Sequence, residues 1–395
     1  MNISDALTSS IDKLFNQAWE LADFITNHPE IGGEEEQAVA KLTEFLKKHG
    51  YSIISPYCGM VHSFLAADLS DKSKGKPKVA LMCEYDALPE IGHACGHSIH
   101  GVISALAAVA LRDAFPDFPF RLDVIGTPNE EAYGGKVFMA KNGAFNGYEF
   151  AIMGHIDNIN CPQIKVIACD GFYVSFKGVS THASSSPQLG VNALNAAQFF
   201  MHASDMLRQH LTPDCQIHGI VAYGGEAPNI TPDRIDLDYY YRAATMEHMI
   251  NLKSKLMDCI KGAAVATGCS YSLKENHSEL FAELSYLPTA VKAVCDTFDA
   301  LGMPWQEMAG PEGSTDAGNV DLCIPTFHIE LNGTDKFCGF HTREFEAEMH
   351  GARGQKTLLN GTQVIAQYIN YLAQNPDLLT QIKKEHKAYR SPHTS

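Results

Sequence analysis

What most constrains this chain is a change in the order of its elements. Up to residue 165, short apolar runs alternate with helical patterns: strands at 52–55, 63–67, 79–83, 120–126 and 150–154, with a helix at 100–115. Such alternation builds an α/β domain whose central sheet is mostly parallel and flanked by helices. From 166 the order becomes strand (166–176), helix (192–209), two strands (216–223 and 234–242), helix (247–267) and strand (269–276). That β-α-β-β-α-β order is the ferredoxin-like α+β pattern. The first pattern then resumes, with a helix at 287–301 and a strand at 326–331. We therefore expect two domains, one formed by 1–168 and 285–395 and one inserted at 169–284. Ahead of the sheet, Leu7, Ile11, Leu14, Phe15, Ala18 and Leu21 recur at helical spacing over 5–27, until His28-Pro29 stops the helix. A second helix is expected over 34–48, ending at His49-Gly50.

The bulk properties narrow the class. A chain of 395 residues is too long for one ordinary core, and 45% hydrophobic with 19% charged residues is a globular composition. The formal net charge of −16 argues against a nucleic-acid partner or an anionic membrane surface, and reads first as solubility. The 11 cysteines include no CxxC pair, and their odd number in a long chain fits a reducing, cytoplasmic setting better than a disulfide framework. The start, MNISDALTSSIDKLF, lacks the basic and apolar runs of a signal peptide. No stretch approaches the ~20 apolar residues of a membrane span.

The chemistry gathers after strands. CEYDALPEIGHACGHSIH, residues 83–100, follows a buried strand and carries Cys83, Glu84, Asp86, Glu90, His93, Cys95, His97 and His100. In open α/β sheets ligands bind beyond the carboxyl ends of strands. The strand at 120–126 leads to Glu130 and Glu131, the strand at 150–154 to His155, and the strand at 326–331 to a glycine-flanked loop with His341. Singly, each has a plain alternative: a satisfied structural histidine, a solvated Glu-Glu turn, an inert buried thiol. Together they bring thiol, imidazole and carboxylate to one kind of position. That donor set suits zinc or a neighbouring first-row divalent ion rather than magnesium or calcium. Five or more ligands exceed what one catalytic zinc takes, and two ions ~3.5–4 Å apart would use them. Adjacent glutamates do not readily face one ion, so one is expected to bind metal and the other to act on metal-bound water.

At this point the sequence resembles the aminoacylase/carboxypeptidase superfamily of co-catalytic metallopeptidases. It is most similar to the amidohydrolase branch, with auxin-conjugate hydrolases, hippurate hydrolases and aminoacylase-like β-alanyl-lysine dipeptidases. The likeness covers nearly the whole chain. HPEIGGE (28–34), YDALP (85–89), HACGH (93–97), TPNEE (127–131), GVSTHA (178–183) with Pro187, GGEAPNITPD (224–233) with Arg242-Ala243, STD (314–316) and His341-Thr342 carry it. The resemblance implies that Cys95, His97, Glu131, His155 and His341 bind two divalent ions, Zn2+ or Mn2+, in a catalytic domain made of both chain ends. It implies Glu130 as general base and Asp86 as the group orienting a metal ligand. It further implies an inserted lid and dimerisation domain, with His182 stabilising the oxyanion (in many relatives across a homodimer). Asn229 and Arg242 would hold the substrate carboxylate, with Ser314 at the substrate. The reaction implied is hydrolysis of the amide bond of an N-acyl amino acid or small dipeptide.

The pattern is not followed everywhere. Glu84 stands where much of the superfamily has a metal histidine, so Cys95 ranks above it as a ligand; Ser98 stands where many amidohydrolases have Asp. His93 and His100 stay open between supporting and structural roles. STD at 314–316 could equally be a helix N-cap. Three rivals remain: a thiol hydrolase with Cys95 as nucleophile, a non-catalytic metal- or ligand-binding protein on the same fold, and a dinucleotide-dependent oxidoreductase. Glu130, which ligation alone does not require, speaks against the second, and the lack of GxGxxG after the early strands against the third.

Overall fold

The computed structural model describes residues 4–275, 280–311 and 313–391. In chain order its elements are α1 (Asp5–Asn27), α2 (Glu36–Lys48), β1 (Ser52–Ile54), β2 (Phe64–Ala67), β3 (Lys78–Cys83), α3 (His97–Ala114), β4 (Arg121–Gly126), α4 (Gly135–Lys141), β5 (Tyr148–Asp157) and β6 (Ala168–Lys177). There follow α5 (Ala193–Leu207), β7 (Gln216–Tyr223), β8 (Arg234–Ala243), α6 (Met246–Thr267), β9 (Ser270–Glu275), α7 (Pro288–Ala300), α8 (Ala317–Asp321), β10 (Thr326–Asn332), α9 (Arg343–Ala347), α10 (Gly351–Gln374) and α11 (Pro376–Arg390). Asn276, where the sequence pattern ends the β9 strand, lies outside the described residues. The chain divides into two compact units: Met1–Lys165 with Leu284–Ser395, and Val166–Glu283.

Unit 1 is built on a six-stranded sheet in the order β1-β2-β4-β3-β5-β10. The pairs β3–β4, β3–β5 and β5–β10 are parallel, while β1 and β2 join antiparallel at one edge. This is the mixed α/β architecture expected, with a largely parallel sheet. β3 is KVALMC and is buried after its first residue, as a strand covered on both faces must be. α3 is buried from His97 to Leu111 and lies between the sheet, α1 and α10. Each fully buried Leu, Ile or Phe is worth about 1.5–3 kcal/mol, so the strand ends and the start of α3 rest on a deeply buried part of the core. α1 faces that core with Leu7, Ile11, Leu14, Ala18, Leu21 and Ile25, and Ser4 caps it by accepting from Leu7 N at 3.4 Å.

Three of the boundaries that differ from the sequence reading bear on the site. α2 starts at Glu36 rather than 34, because Glu35 turns its carboxylate back to accept from Gly33 N and Asn129 N, both at 2.8 Å. α3 starts at His97 rather than 100, directly after Gly96 in the left-handed region at φ 77°. β5 runs on to Asp157, so His155 lies inside the strand instead of beyond it.

Unit 2 has a four-stranded antiparallel sheet in the order β7-β8-β6-β9. α5 and α6 pack on each other and against β6 and β8. The period of two along β8 turns Ile235, Leu237, Tyr239 and Tyr241 inward to meet Phe172, Phe176 and Phe200. Among the described residues no helix is long and apolar enough to cross a membrane.

Candidate metal centre

The site in unit 1 is assembled from the carboxyl ends of parallel strands. β3 delivers Glu84 and Asp86, each 1% exposed. The chain then loops to Cys95, passes through Gly96 and enters α3 at His97. A Cβ at Gly96 would lie 2.5 Å from Ile156 Cβ, so the close pass of this turn over β5 requires glycine. β4 ends beside β3: Thr127 donates to the Cys83 carbonyl through its N–H at 2.8 Å and its hydroxyl at 3.2 Å. Asn129, at φ 65°, then turns the chain toward Glu130 and Glu131. β5 supplies His155. His341, at φ 58°, is fixed by its N–H on the Ala94 carbonyl at 3.3 Å.

These segments converge. Cys95, Glu131 and His341 each bring one donor atom within 4.8 Å of the others; so do Glu84, His97, His100 and His155, and so do His97, Glu130 and Glu131. The sets are joined: Cys95 Sγ is 3.5 Å from His155 Nε2, and Glu131 Oε1 is 3.7 Å from His341 Nε2 and 3.9 Å from His97 Nε2. Both glutamates place a carboxylate oxygen within 4.8 Å of a His97 ring nitrogen. His97 Nε2 and Glu131 Oε1 are buried without a hydrogen-bond partner. A buried orphan costs about 1–3 kcal/mol unless something binds it. A divalent cation is what thiolate, imidazole and carboxylate together fit.

A supporting layer aims these donors. His97 Nδ1 donates to Asp86 Oδ1 at 3.0 Å, and Asp86 Oδ2 accepts from Glu131 N at 2.9 Å. Nε2 of His97 is thereby turned inward, the usual arrangement behind a metal-binding histidine. His155 Nδ1 donates to Glu330 Oε2 at 3.2 Å, and His328 Nδ1 lies 3.2 Å from Glu330 Oε1. This contact follows from strand register, because Glu330 pairs directly with His155 across β10 and β5.

Electrostatics match the geometry. Burial raises the Cys95 thiol, but His155, with His341 and His97, outweighs it and holds the group well below its ordinary value. Burial opposes charge on His97 and His155, yet Asp86 and Glu330 respectively override it and hold both imidazoles well above the usual range. Glu330 is pulled down to about 2 although burial raises it, chiefly by His155. Burial, then the Cys95 charge, pushes Glu131 up to about 8. Glu130 is pushed well above the carboxylate range by burial and by Asp316, Glu84 and Glu131; Thr315 Oγ1 donates to its Oε1 at 2.9 Å.

Glu84 has a different set of partners. Its Oε1 pairs with Lys136 Nζ, and its Oε2 lies 2.9 Å from His100 Nε2. Lys136 also pairs with Asp316. Burial would raise Glu84, but Lys136 outweighs it and keeps the carboxylate well below its ordinary value. His100 and His93 are buried and pushed down by that burial, to about 4 and about 3. Asp316 precedes α8 yet makes no side-chain cap there, since its carboxylate is given to Lys136. Ser314 is the residue before Thr315 in that loop.

His182, Asn229 and Arg242 belong to unit 2. His182 and Asn229 are neighbours there: Ala183 N donates to the Asn229 carbonyl at 3.0 Å, and His182 bridges Ile230. His182 Nδ1 accepts from Ser184 N and Ser185 N, both at 3.3 Å, which leaves the ring proton on Nε2. Arg242 sits near the end of β8, opposite Cys169 of β6 and Gln216 of β7.

Sequence reasoning missed Lys136, His328 and Glu330, and it gave Thr315 only within STD (314–316), without a role. For His328 and Glu330 a signal existed: they share one face of a strand whose other face is Phe327, Ile329 and Leu331. For Lys136 none did, since a lysine after two glycines reads as surface.

Residues 80–371 match the model of peptidase family M20/M25/M40. The chain is 33% identical over 394 residues to Xaa-Arg dipeptidase of Mus musculus, covering 95% of this chain and 90% of that protein. It is 27% identical over 308 residues to a p-aminobenzoyl-glutamate hydrolase component of Escherichia coli (strain K12), covering 72% and 62%. Among solved structures it is similar in fold to a putative aminohydrolase from methicillin-resistant Staphylococcus aureus (TM-score 0.79, 20% identity, 94% and 100% covered). It is likewise similar to the Bacillus subtilis YXEP protein, a dinuclear metal binding peptidase (TM-score 0.68, 17% identity, 92% and 99% covered).

Proposed function

The chain belongs to peptidase family M20/M25/M40 and is a metal-dependent hydrolase of amide bonds, and from that premise we propose that it cleaves dipeptides or N-acyl amino acids with two divalent ions, Zn2+ or Mn2+. One observation carries this reading. Cys95, His97, Glu131, His155 and His341 meet in one cluster where His97 Nε2 and Glu131 Oε1 are buried without a hydrogen-bond partner. Likeness to Xaa-Arg dipeptidase over 95% of the chain makes dipeptides ending in arginine the first substrates to test, with lysine dipeptides added from the resemblance to β-alanyl-lysine dipeptidases.

When bound, the two ions supply a water of lowered pKa and a Lewis acid for the carbonyl. Glu130 takes the proton of the attacking water and later passes it to the leaving amine. Asp86 holds His97 in the tautomer that exposes Nε2. To unit 2 we assign the part of a lid. His182, with its proton on Nε2, donates to the developing oxyanion. Asn229 and Arg242 hold the substrate carboxylate, for which a guanidinium fork is suited. Ser314 completes the substrate site. A homodimer goes with this reading and is checked by light scattering.

The test is a screen of zinc- or manganese-loaded protein against Xaa-Arg and Xaa-Lys dipeptides, N-acyl amino acids and p-aminobenzoyl-glutamate, with metal content measured alongside. Turnover that rises with bound metal and vanishes on chelation supports the proposal. Turnover that survives chelation and is abolished by alkylation of Cys95 would replace it with the thiol mechanism.

A further inference from the structure

Glu130 sits on a loop, and a reactive side chain on a loop works only as well as its supports hold it. Its support comes from a distant part of the chain. Thr315 is 6% exposed and donates its hydroxyl to Glu130 Oε1 at 2.9 Å. The same hydroxyl oxygen accepts Ala317 N at 3.3 Å, which fixes the direction of the hydroxyl proton. The next residue, Asp316, is fully buried; its Oδ2 accepts from Lys136 N at 2.8 Å and its Oδ1 pairs with Lys136 Nζ. Lys136, also fully buried, pairs in addition with Glu84.

We propose that Thr315 is a positioning residue that fixes the carboxylate of Glu130, and that the buried Lys136–Asp316 pair holds Thr315 against it. The physical reason lies in the charges. A buried ion pair cannot be parted without leaving unpaired charge in a medium that does not solvate it. Residues 135–136 and 315–316 are therefore tied together more firmly than loop backbone alone would tie them. Thr315 transmits that stiffness to Glu130 through a neutral donor, adding no further charge beside the base. Nothing in the chemistry of Lys136 requires it to touch substrate or metal. The inference rests on Glu130 being the general base.

The test uses the metal-loaded enzyme with its best dipeptide. Thr315→Val should lower kcat about tenfold, the weight of one hydrogen bond, with KM within about twofold and metal content unchanged. Thr315→Ser, which restores the donor, should recover most of the loss. Lys136→Met should lower kcat in the same way, and the double variant should be no slower than about twofold below the slower single, because both act through one contact. If Lys136→Met does not fold, the near-isosteric Asp316→Asn makes the same comparison. A Thr315→Val enzyme with wild-type kcat, or one that loses metal, overturns the positioning role, as does failure of Thr315→Ser to recover activity. Additive losses overturn the link to Lys136. Glu130→Gln keeps the two claims apart: retained turnover there sinks the base itself, whereas a dead Glu130→Gln beside a normal Thr315→Val sinks only the positioning role.

Discussion

Two of the clusters of buried charge in unit 1 differ in how completely their polar atoms are used. Around Asp321 everything closes. Its Oδ2 accepts from Ser285 N at 2.9 Å, Ser285 Oγ at 2.6 Å and Arg390 Nε at 3.1 Å, and its Oδ1 accepts from Thr326 N at 3.1 Å. His386 Nε2 donates to the Asp321 carbonyl at 2.7 Å. At the strand ends, by contrast, His97 Nε2 and Glu131 Oε1 are buried and face one another at 3.9 Å with no hydrogen bond. Both clusters combine carboxylates with histidine, and both shift proton affinities. The difference teaches that perturbed ionisation alone does not mark a functional site. A structural cluster satisfies itself, whereas one meant for a ligand keeps donors and acceptors in reserve.

The contrast can be broken by experiment. Glu130→Gln should lower kcat by about 10²–10⁴-fold and leave the metal bound, as read by turnover and metal analysis; near-normal turnover would mean that the open cluster does no base chemistry. Asp321→Asn should destabilise the protein by about 3–5 kcal/mol in urea denaturation, the cost of breaking a buried pair, without changing metal content. If it instead stripped metal and left stability alone, the two clusters would have been assigned the wrong way round. Zinc or manganese at a hundred times its dissociation constant should stabilise the folded chain by about 2.7 kcal/mol, seen as a rise in Tm over chelated protein. Asp86→Asn should weaken metal affinity by about 10–100-fold, measured by competition with a chromogenic chelator.

The smallest effect concerns pH. Burial raises Asp321, but His386 and Arg390 outweigh it and hold the folded group below its ordinary value of 3.8. Between the two values the unfolded chain binds more protons, so stability rises with pH there. The gap in Tm between wild type and Asp321→Asn should therefore be full above 3.8 and narrow as pH falls below it. A gap that widened in acid would contradict the pairing.

Much of the candidate site could be read without coordinates because its parts sit at recognisable places along the chain. Cys95 and His97 lie in HACGH, the glutamates in TPNEE, and His155 and His341 follow apolar strand runs. Strand periodicity likewise revealed β3, β4, β8 and β10, since alternation or continuous burial is written in the residues themselves. Element ends were less legible. α2 lost its first residues to a side chain that prefers backbone N–H groups of Gly33 and Asn129, and α3 gained His97 because Gly96 permits a left-handed turn. These are choices between local and distant partners.

By itself, then, the sequence determined the α/β pattern, the family likeness and the kinds of atom brought to the strand ends, because these depend on residue type and spacing. Only the tertiary structure decided that Glu330 backs His155, that Lys136 is buried between Glu84 and Asp316, and that Thr315 meets Glu130. Those contacts join residues far apart in the chain through strand register and loop packing, and a charged side chain carries no local mark of whether it will meet water or a partner.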